Sequence, residues 1–113
     1  MKTPIVDFVR DYAAKNMVRF HMPGHKGKAF LGCETFDITE IKGADELYVS
    51  DGIIGESENN ASLLFGTAKT VYSTEGSSQC IRAMIHMAAT VCSDKCRRYI
   101  LAARNVHKVF IYA

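Results

Sequence analysis

The chain has 113 residues, of which 48% are hydrophobic, so it can form at most one ordinary globular domain. Its net charge of +2 comes from 14 basic and 12 acidic residues that are mixed along the sequence, which argues against nucleic-acid and anionic-membrane partners. No apolar stretch approaches the roughly 18 to 20 residues of a spanning helix, and Asp7 and Asp11 interrupt any signal-peptide core. We therefore expect a cytoplasmic protein whose cysteines are reduced thiols: Cys33, Cys80, Cys92 and Cys96.

The first predicted element is a helix that begins at Thr3 and Pro4, because a hydroxyl residue followed by proline is a common helix start. It is expected to end near Asn16, and its apolar residues fall on one face: Ile5, Phe8, Val9, Tyr12 and Ala13. The segment 19–32 holds three glycines and a proline, so it cannot form a regular helix. We interpret residues 36–50 as an ordered but irregular connection.

The second half of the chain predicts alternating helices and strands. A helix is expected over Ile53–Phe65 with Gly66 as its left-handed cap, and a second helix over Ser77–Cys92. Strands are expected at Ala68–Ser73 and Arg98–Ala103, and another strand-to-helix turn at Arg104–Lys108. Because strand, helix and strand with such a crossover imply parallel strands, we predict an α/β fold with covering helices. Two strands make an incomplete sheet, so the chain is expected to be unfinished and of poor stability alone.

A serine-rich turn lies between the predicted strand and the next helix. The run Ser73-Thr74-Glu75-Gly76-Ser77-Ser78 would place free first-turn amides, Gly76 and two hydroxyls where an anion can bind. In the alternative reading these serines are ordinary helix caps. The sequence therefore predicts either a phosphate site or a capped helix at this turn.

A second cluster of polar side chains lies in the run His21-Met22-Pro23-Gly24-His25-Lys26. Pro23 and Gly24 exclude the helix that a His-x-x-x-His zinc pair needs, so we expect no metal here, although a loop zinc site that uses the cysteines stays open. Gly27-Lys28 lacks the glycine and hydroxyl of a phosphate-binding loop. An active-site loop containing His25 and Lys26 and a solvated turn are the two remaining interpretations.

His107 follows the second predicted strand, at the edge where α/β proteins bind ligands. Together with the serine turn, this ring could bind one planar phosphorylated cofactor. The alternative for His107 is a solvent-facing residue at the start of a helix. Asp37, Glu40, Asp45 and Glu46 could contact a cationic substrate, or they form a solvated surface.

These motifs together resemble the N-terminal part of the Orn/Lys/Arg decarboxylase family, which are pyridoxal-phosphate enzymes of the aspartate-aminotransferase fold. The resemblance rests on motifs in the right order, which cover nearly the whole chain: 19–26, 36–41, 51–54, 64–66, 73–78 and 104–108. It implies an α/β fold that forms part of the large domain of a pyridoxal-phosphate-dependent transferase. It also implies an N-terminal helix and irregular active-site segment over 1–50, and the start of the cofactor-binding domain over 51–113.

The resemblance further implies roles for individual residues. Gly76, Ser77 and Ser78 look like the cofactor's phosphate cradle, His107 like the ring that stacks on the pyridine, and His25 and Lys26 like residues near the active site. The implied reaction removes the α-carboxylate of lysine, arginine or ornithine as carbon dioxide, with pyridoxal phosphate as electron sink. The complete enzyme is expected to be a homo-oligomer that acts in polyamine biosynthesis.

The sequence also departs from the family. The Ser-x-His-Lys motif that carries the Schiff-base lysine is absent from these 113 residues, so we expect no catalytic residue here, and Lys108 is not expected to replace that lysine. Glu75 stands where the family often has asparagine, and Val109 where it usually has a small residue. The alternative to an enzyme part is a non-catalytic remnant, or an incomplete gene model, that at most binds phosphate or a partner subunit. An unrelated zinc or phosphate-binding module is a third reading.

Overall fold

The computed structural model describes residues 2–91 and 99–112. Over these residues the regular elements are four helices: α1 Pro4–Ala14, α2 Ile53–Phe65, α3 Gly76–Val91 and α4 Lys108–Ile111. The chain divides into two compact units, Met1–Tyr72 and Ser73–Ala113. The predicted domain boundary between Ser50 and Asp51 is a functional division that this contact pattern does not address, and it stays a prediction.

In the first unit, α1 packs against α2. The residues predicted for the apolar face of α1 are all partly shielded from solvent: Ile5, Phe8, Val9, Tyr12 and Ala13. Thr3 is the N-cap residue, as predicted, but its hydroxyl donates to Asp7 Oδ1 at 3.0 Å rather than capping a backbone amide. The prediction for α2 is confirmed at both ends, and Gly66 has the left-handed φ of +64° that ends the helix.

In the second unit, α3 packs against the short α4. α3 begins at Gly76, one residue before the predicted start, and its partly shielded residues include Ile81, Ile85 and Ala89. These positions recur every four residues, so they lie on one side of the helix. The predicted last residue of this helix, Cys92, lies outside the described residues, as does Cys96.

The predicted α/β fold is wrong for this structure, because residues 2–91 and 99–112 contain no strand. In the segment predicted as the first strand, the Thr70 N–H donates to Ser62 Oγ at 2.7 Å and the Tyr72 N–H to Glu58 Oε1 at 2.8 Å. Side chains of α2 therefore accept alternate amides that a sheet would have used for a neighbouring strand.

The second predicted strand, Arg98–Ala103, is also absent from the residues that can be described. Arg98 lies outside the described ranges, and residues 99–103 have no regular structure. Leu101 is fully exposed, so its side chain packs against none of the described residues. Apolar, β-branched sequence alone does not make a strand, because a strand also requires a backbone to pair with.

None of the described helices is both long enough and apolar enough to cross a membrane.

Candidate cofactor site and active-site loop

The serine turn leads directly into α3. Gly76 has a φ of +62° and no atom within 4 Å of the place where a Cβ would lie. The requirement for glycine is therefore conformational, since L-residues rarely adopt this backbone geometry. Ser73 stabilises the turn from the other side, where its hydroxyl donates to Gln79 Oε1 at 2.6 Å.

The two serines after Gly76 differ from Ser73. Ser77 is exposed and Ser78 is partly exposed, and within the described part of the chain neither hydroxyl forms a hydrogen bond to protein. The first amides of a helix also lack partners within the helix. Two hydroxyls and the free amides thus form a donor set that fits an anion such as a phosphate group.

Glu75 places an opposing charge beside this donor set. Its carboxylate is paired with Arg82, whose Nη1 lies 3.7 Å from Glu75 Oε2, and both side chains are more than half exposed. Glu75 is a departure from the family pattern that the sequence reveals, but its pairing with Arg82 was not predicted. The pair could have been found from its spacing in the sequence, because seven residues correspond to about two helical turns and place both side chains on the same side.

His107 is the N-cap residue of α4, and its Nδ1 accepts the Val109 N–H at 3.3 Å. This bond requires the lone pair of Nδ1, so a neutral ring carries its proton on Nε2. The ring is exposed to solvent. The helix predicted after His107 is present, while the strand predicted before it is not.

The serine turn precedes α3 and His107 precedes α4, and these two helices are in contact. An open cleft of about 340 Å³ is lined by Arg82 from α3 and by residues that follow His107: Lys108, Val109 and Tyr112. Among the described residues, no hydrogen bond or ring contact joins His107 to Gly76, Ser77 or Ser78. Sequence analysis missed Arg82 and Tyr112, which line this cleft.

The first unit contains the second candidate site, which we call the His25 loop (residues 20–37). At its centre lies Arg19, which is only 9% exposed. Its guanidinium donates to three loop carbonyls, at 2.6 Å to Thr35 and at 3.3 Å to Glu34 and Asp37. The Tyr12 ring lies under the same group, 5.0 Å from Arg19 Cζ. One buried cation therefore links α1 to the far end of the loop.

Both ring nitrogens of His25 are used within the loop. The Gly27 N–H donates to His25 Nδ1 at 3.0 Å, and His25 Nε2 lies 3.1 Å from Asp37 Oδ2. Since Nδ1 accepts, a neutral ring has its proton on Nε2 and donates it to the carboxylate. This pairing gives His25 a structural role in the loop.

The Lys26 side chain is also hydrogen-bonded within the loop. Its Nζ donates to the carbonyl of His21 at 2.6 Å and to that of Phe20 at 3.4 Å. The His21 ring in turn bonds through Nε2 to the Tyr12 hydroxyl at 2.8 Å. The structure thus brings His25 and Lys26 into one hydrogen-bonded loop, and the place of this loop in an active site stays a prediction.

Glu34 closes a tight turn within the same loop. Its carboxylate accepts the N–H of Leu31 at 2.6 Å and that of Gly32 at 2.8 Å. The Leu31 N–H is the largest of several backbone bonds that lower the pKa of Glu34 to about 2.

Among the described residues, no three His, Cys, Asp or Glu side chains lie together in an arrangement that could hold a metal ion. Cys33 and Cys80 are exposed free thiols, and the alternative zinc ligands Cys92 and Cys96 fall in the part of the chain that is not described. The expectation of no metal at this site stays a prediction.

Comparison with known proteins identifies the family to which this chain belongs. The model of the Orn/Lys/Arg decarboxylase family, major domain, matches residues 3–113, so this chain belongs to that family. The predicted family is thereby confirmed. No solved structure matches the chain.

Several curated relatives carry a more specific name. Over 99% of its own length, the chain is 32% identical to an arginine decarboxylase of Bacillus subtilis. Over the same share of its length, it is 34% identical to an arginine decarboxylase of Halalkalibacterium halodurans. It is 32% identical to an arginine decarboxylase of Bacillus cereus over 95% of its length. The chain spans about a quarter of these relatives, 24% in each case.

Proposed function

We propose that this chain is part of a pyridoxal-phosphate-dependent lyase that removes the α-carboxylate of a basic amino acid, with arginine, lysine and ornithine as the substrate class. Membership of the family supports the reaction type, and the names of the relatives favour arginine. The complete enzyme is proposed to be cytoplasmic and homo-oligomeric, to act in polyamine biosynthesis, and to bind neither nucleic acid nor membrane.

The observation that carries the proposal is the start of α3. Gly76, at a φ of +62°, is followed by two serines whose hydroxyls have no protein partner among the described residues. Amide and hydroxyl donors are the groups that bind a cofactor phosphate at a helix N-terminus. Gly76, Ser77 and Ser78 would hold the phosphate, and the exposed His107 ring is the candidate for stacking on the pyridine.

Bound pyridoxal phosphate would supply the electron-poor ring that accepts the electron pair left when the carboxylate departs as carbon dioxide. The residues of this chain would bind and orient: the donors at α3 fix the phosphate end, and His107 presents a ring with its proton on Nε2. His25 and Lys26 are proposed to shape the active-site loop rather than to take part in the chemistry, since their polar atoms already bond within the loop.

A second candidate function is phosphate binding without catalysis. The donor set at the start of α3 would suffice for this function, because backbone amides and hydroxyls can bind a phosphate without any catalytic group. Under this reading the chain binds pyridoxal phosphate reversibly and releases no carbon dioxide.

Pyridoxine 5′-phosphate tests the proposed cradle, because its alcohol cannot condense with surface lysines as an aldehyde would. We expect saturable binding, followed by the probe's fluorescence, with pyridoxine, which lacks the phosphate, binding at least about tenfold more weakly. Ser77→Ala should weaken the phosphate probe about fivefold, the effect of one lost hydrogen bond. Thr90→Ala, near the other end of α3, is the matched control and should have no effect. Equal affinity for both probes, or no effect of Ser77→Ala, would contradict the cradle.

Release of labelled carbon dioxide from carboxyl-labelled arginine, lysine and ornithine separates the two candidate functions. Protein that contains this chain together with the Ser-x-His-Lys segment should decarboxylate at least one of them when pyridoxal phosphate is supplied. The 113 residues alone should release none. Release by the 113 residues alone would refute the non-catalytic reading and show that another group replaces the missing lysine.

A further inference from the structure

We propose that Arg19 is a positioning residue that fixes the orientation and protonation pattern of the His25 ring. The inference rests on the proposed active-site loop, to which His25 belongs, and goes beyond it because the shared sequence motif 19–26 assigns Arg19 no role toward His25. The two residues form no direct bond. Arg19 acts through the two neighbours that hold the ring, Gly27 and Asp37.

The first connection runs through Asp37. Arg19 Nη1 donates to the Asp37 backbone carbonyl at 3.3 Å, while the carboxylate of the same residue lies 3.1 Å from His25 Nε2. The Asp37 side chain is 62% exposed and the His25 side chain is 25% exposed. An exposed ion pair or hydrogen bond does not order two side chains by itself, so the buried guanidinium supplies the fixed point that this pair lacks.

The second connection runs through Gly27. A Cβ on this residue would lie 2.9 Å from both Cζ and Nε of Arg19, so the backbone of Gly27 lies directly against the guanidinium. The N–H of Gly27 donates to His25 Nδ1 at 3.0 Å. Gly27 also has a φ of +76°, which glycine adopts at little cost. Arg19 therefore limits the movement of the amide that keeps Nδ1 unprotonated.

Arg19 is suited to this role by its shape and burial. Its planar fork reaches three carbonyls at once, those of residues 34, 35 and 37. An ammonium group on a flexible stem cannot reproduce that geometry. The consequence for the proposed site is that the His25 ring has a fixed orientation there, with Nε2 directed at the Asp37 carboxylate and Nδ1 bonded to the Gly27 amide.

The test follows the nitrogen resonances of the His25 ring and the hydrogen exchange of the Gly27 amide in the ¹⁵N-labelled chain, without cofactor. In the wild type, His25 should show an unprotonated Nδ1 and a protonated Nε2. Arg19→Gln should speed exchange of the Gly27 amide about tenfold, as expected when one buried hydrogen bond is lost, and should broaden or shift both ring nitrogens. Arg19→Lys keeps the positive charge but should not restore the wild-type His25 nitrogen resonances or the wild-type exchange rate of the Gly27 amide. Arg10→Gln, an exposed arginine on α1, is the matched control.

Gly27→Ala supplies an independent variant that keeps the Arg19 charge, and Gly24→Ala is its control because nothing lies within 4 Å of a Cβ there. Gly27→Ala should shift the His25 nitrogens and the Arg19 Nε resonance together. Amides at the start of α2 report whether the unit as a whole stays folded. Unchanged His25 nitrogens in both Arg19→Gln and Gly27→Ala would overturn the inference, as would full restoration by Arg19→Lys. Since no cofactor is present, these outcomes are independent of whether the chain binds pyridoxal phosphate.

Discussion

Glu75 is the acidic residue of the serine turn, and it directly precedes Gly76. A carboxylate at a helix start is itself attracted to the free amides there, so an unpaired Glu75 would compete with a bound phosphate. The pairing with Arg82, at 3.7 Å between charged atoms, offsets this competition. Because both side chains are exposed, the effect of the pair is expected to be small and sensitive to salt.

Glu75→Gln should therefore strengthen binding of pyridoxine 5′-phosphate about twofold to fourfold at low ionic strength, and Arg82→Gln should weaken it by a similar factor. Fluorescence titrations at two salt concentrations measure both effects, which should shrink as salt is added. Glu56→Gln, which removes an exposed acid from α2, controls for net charge. Weaker binding by the Glu75→Gln chain would show that the carboxylate supports the site instead of opposing it.

At the scale of elements, α2 depends on a residue far from its own first turn. Its N-cap position is Gly52, which has no side chain to cap with. Asp45 supplies the missing acceptor: its Oδ2 accepts the N–H of Gly52 at 3.0 Å, of Ile54 at 2.8 Å and of Gly55 at 3.4 Å. Partial desolvation raises the pKa of this carboxyl, but the backbone bonds from Glu46, Ile54, Gly52 and Gly55 outweigh it and lower the pKa overall.

The start of α2 should accordingly lose protection at acid pH. A lowered pKa means that Asp45 stabilises the folded form fully above its unfolded value of 3.8, and that this contribution is lost as pH falls through the lower folded value. Hydrogen exchange of the Ile54 and Gly55 amides, corrected for intrinsic rates, should rise in that range. In Asp45→Asn the same amides should be less protected at neutral pH and should respond less to acid. An identical pH response in wild type and variant would rule out Asp45 as the cap.

Gly55 in the first turn of α2 tolerates no side chain. A Cβ there would lie 2.2 Å from the carbonyl oxygen of Ser50, so Gly55→Ala must displace the backbone, at a cost of about 1–3 kcal/mol in the free energy of unfolding. Urea unfolding followed by helical circular dichroism measures the loss. Gly24→Ala, which meets no atom within 4 Å, should leave the midpoint unchanged. Equal midpoints for the two variants would mean that the approach to Ser50 is not a constraint.

Local rules predicted the helices far better than the sheet. The bounds of α2 and its Gly66 cap follow from signals within a few residues of each other. The strand at Ala68–Ser73 failed because Glu58 and Ser62 accept the backbone amides of that segment, and these partners lie 14 and 8 residues away in sequence. Asp45 as a cap and Arg19 as the centre of the His25 loop were missed for a similar reason, since their partners lie 7–10 and 15–18 residues away in sequence.

At the scale of the whole molecule, the small amount of buried apolar surface limits the folding stability of the chain. Among the described residues, none of the hydrophobic side chains is buried, and Phe20 and Phe30 are each 91% exposed. Burial of apolar surface is the main source of folding stability. The chain also spans only 24% of the length of the relatives named above. These observations support the sequence-based expectation of poor stability for the 113 residues alone, which stays a prediction.

The proposed function requires that the phosphate group of the cofactor binds at the start of α3. The test is to record the backbone amide resonances and the ring resonances of His107 during titration with pyridoxine 5′-phosphate, because together they report the bound position residue by residue. We expect the largest shifts on residues 76–79 and on the His107 ring, and we expect pyridoxine without phosphate to leave residues 76–79 unchanged. Shifts confined to other parts of the chain, or the same shifts with both probes, would contradict it.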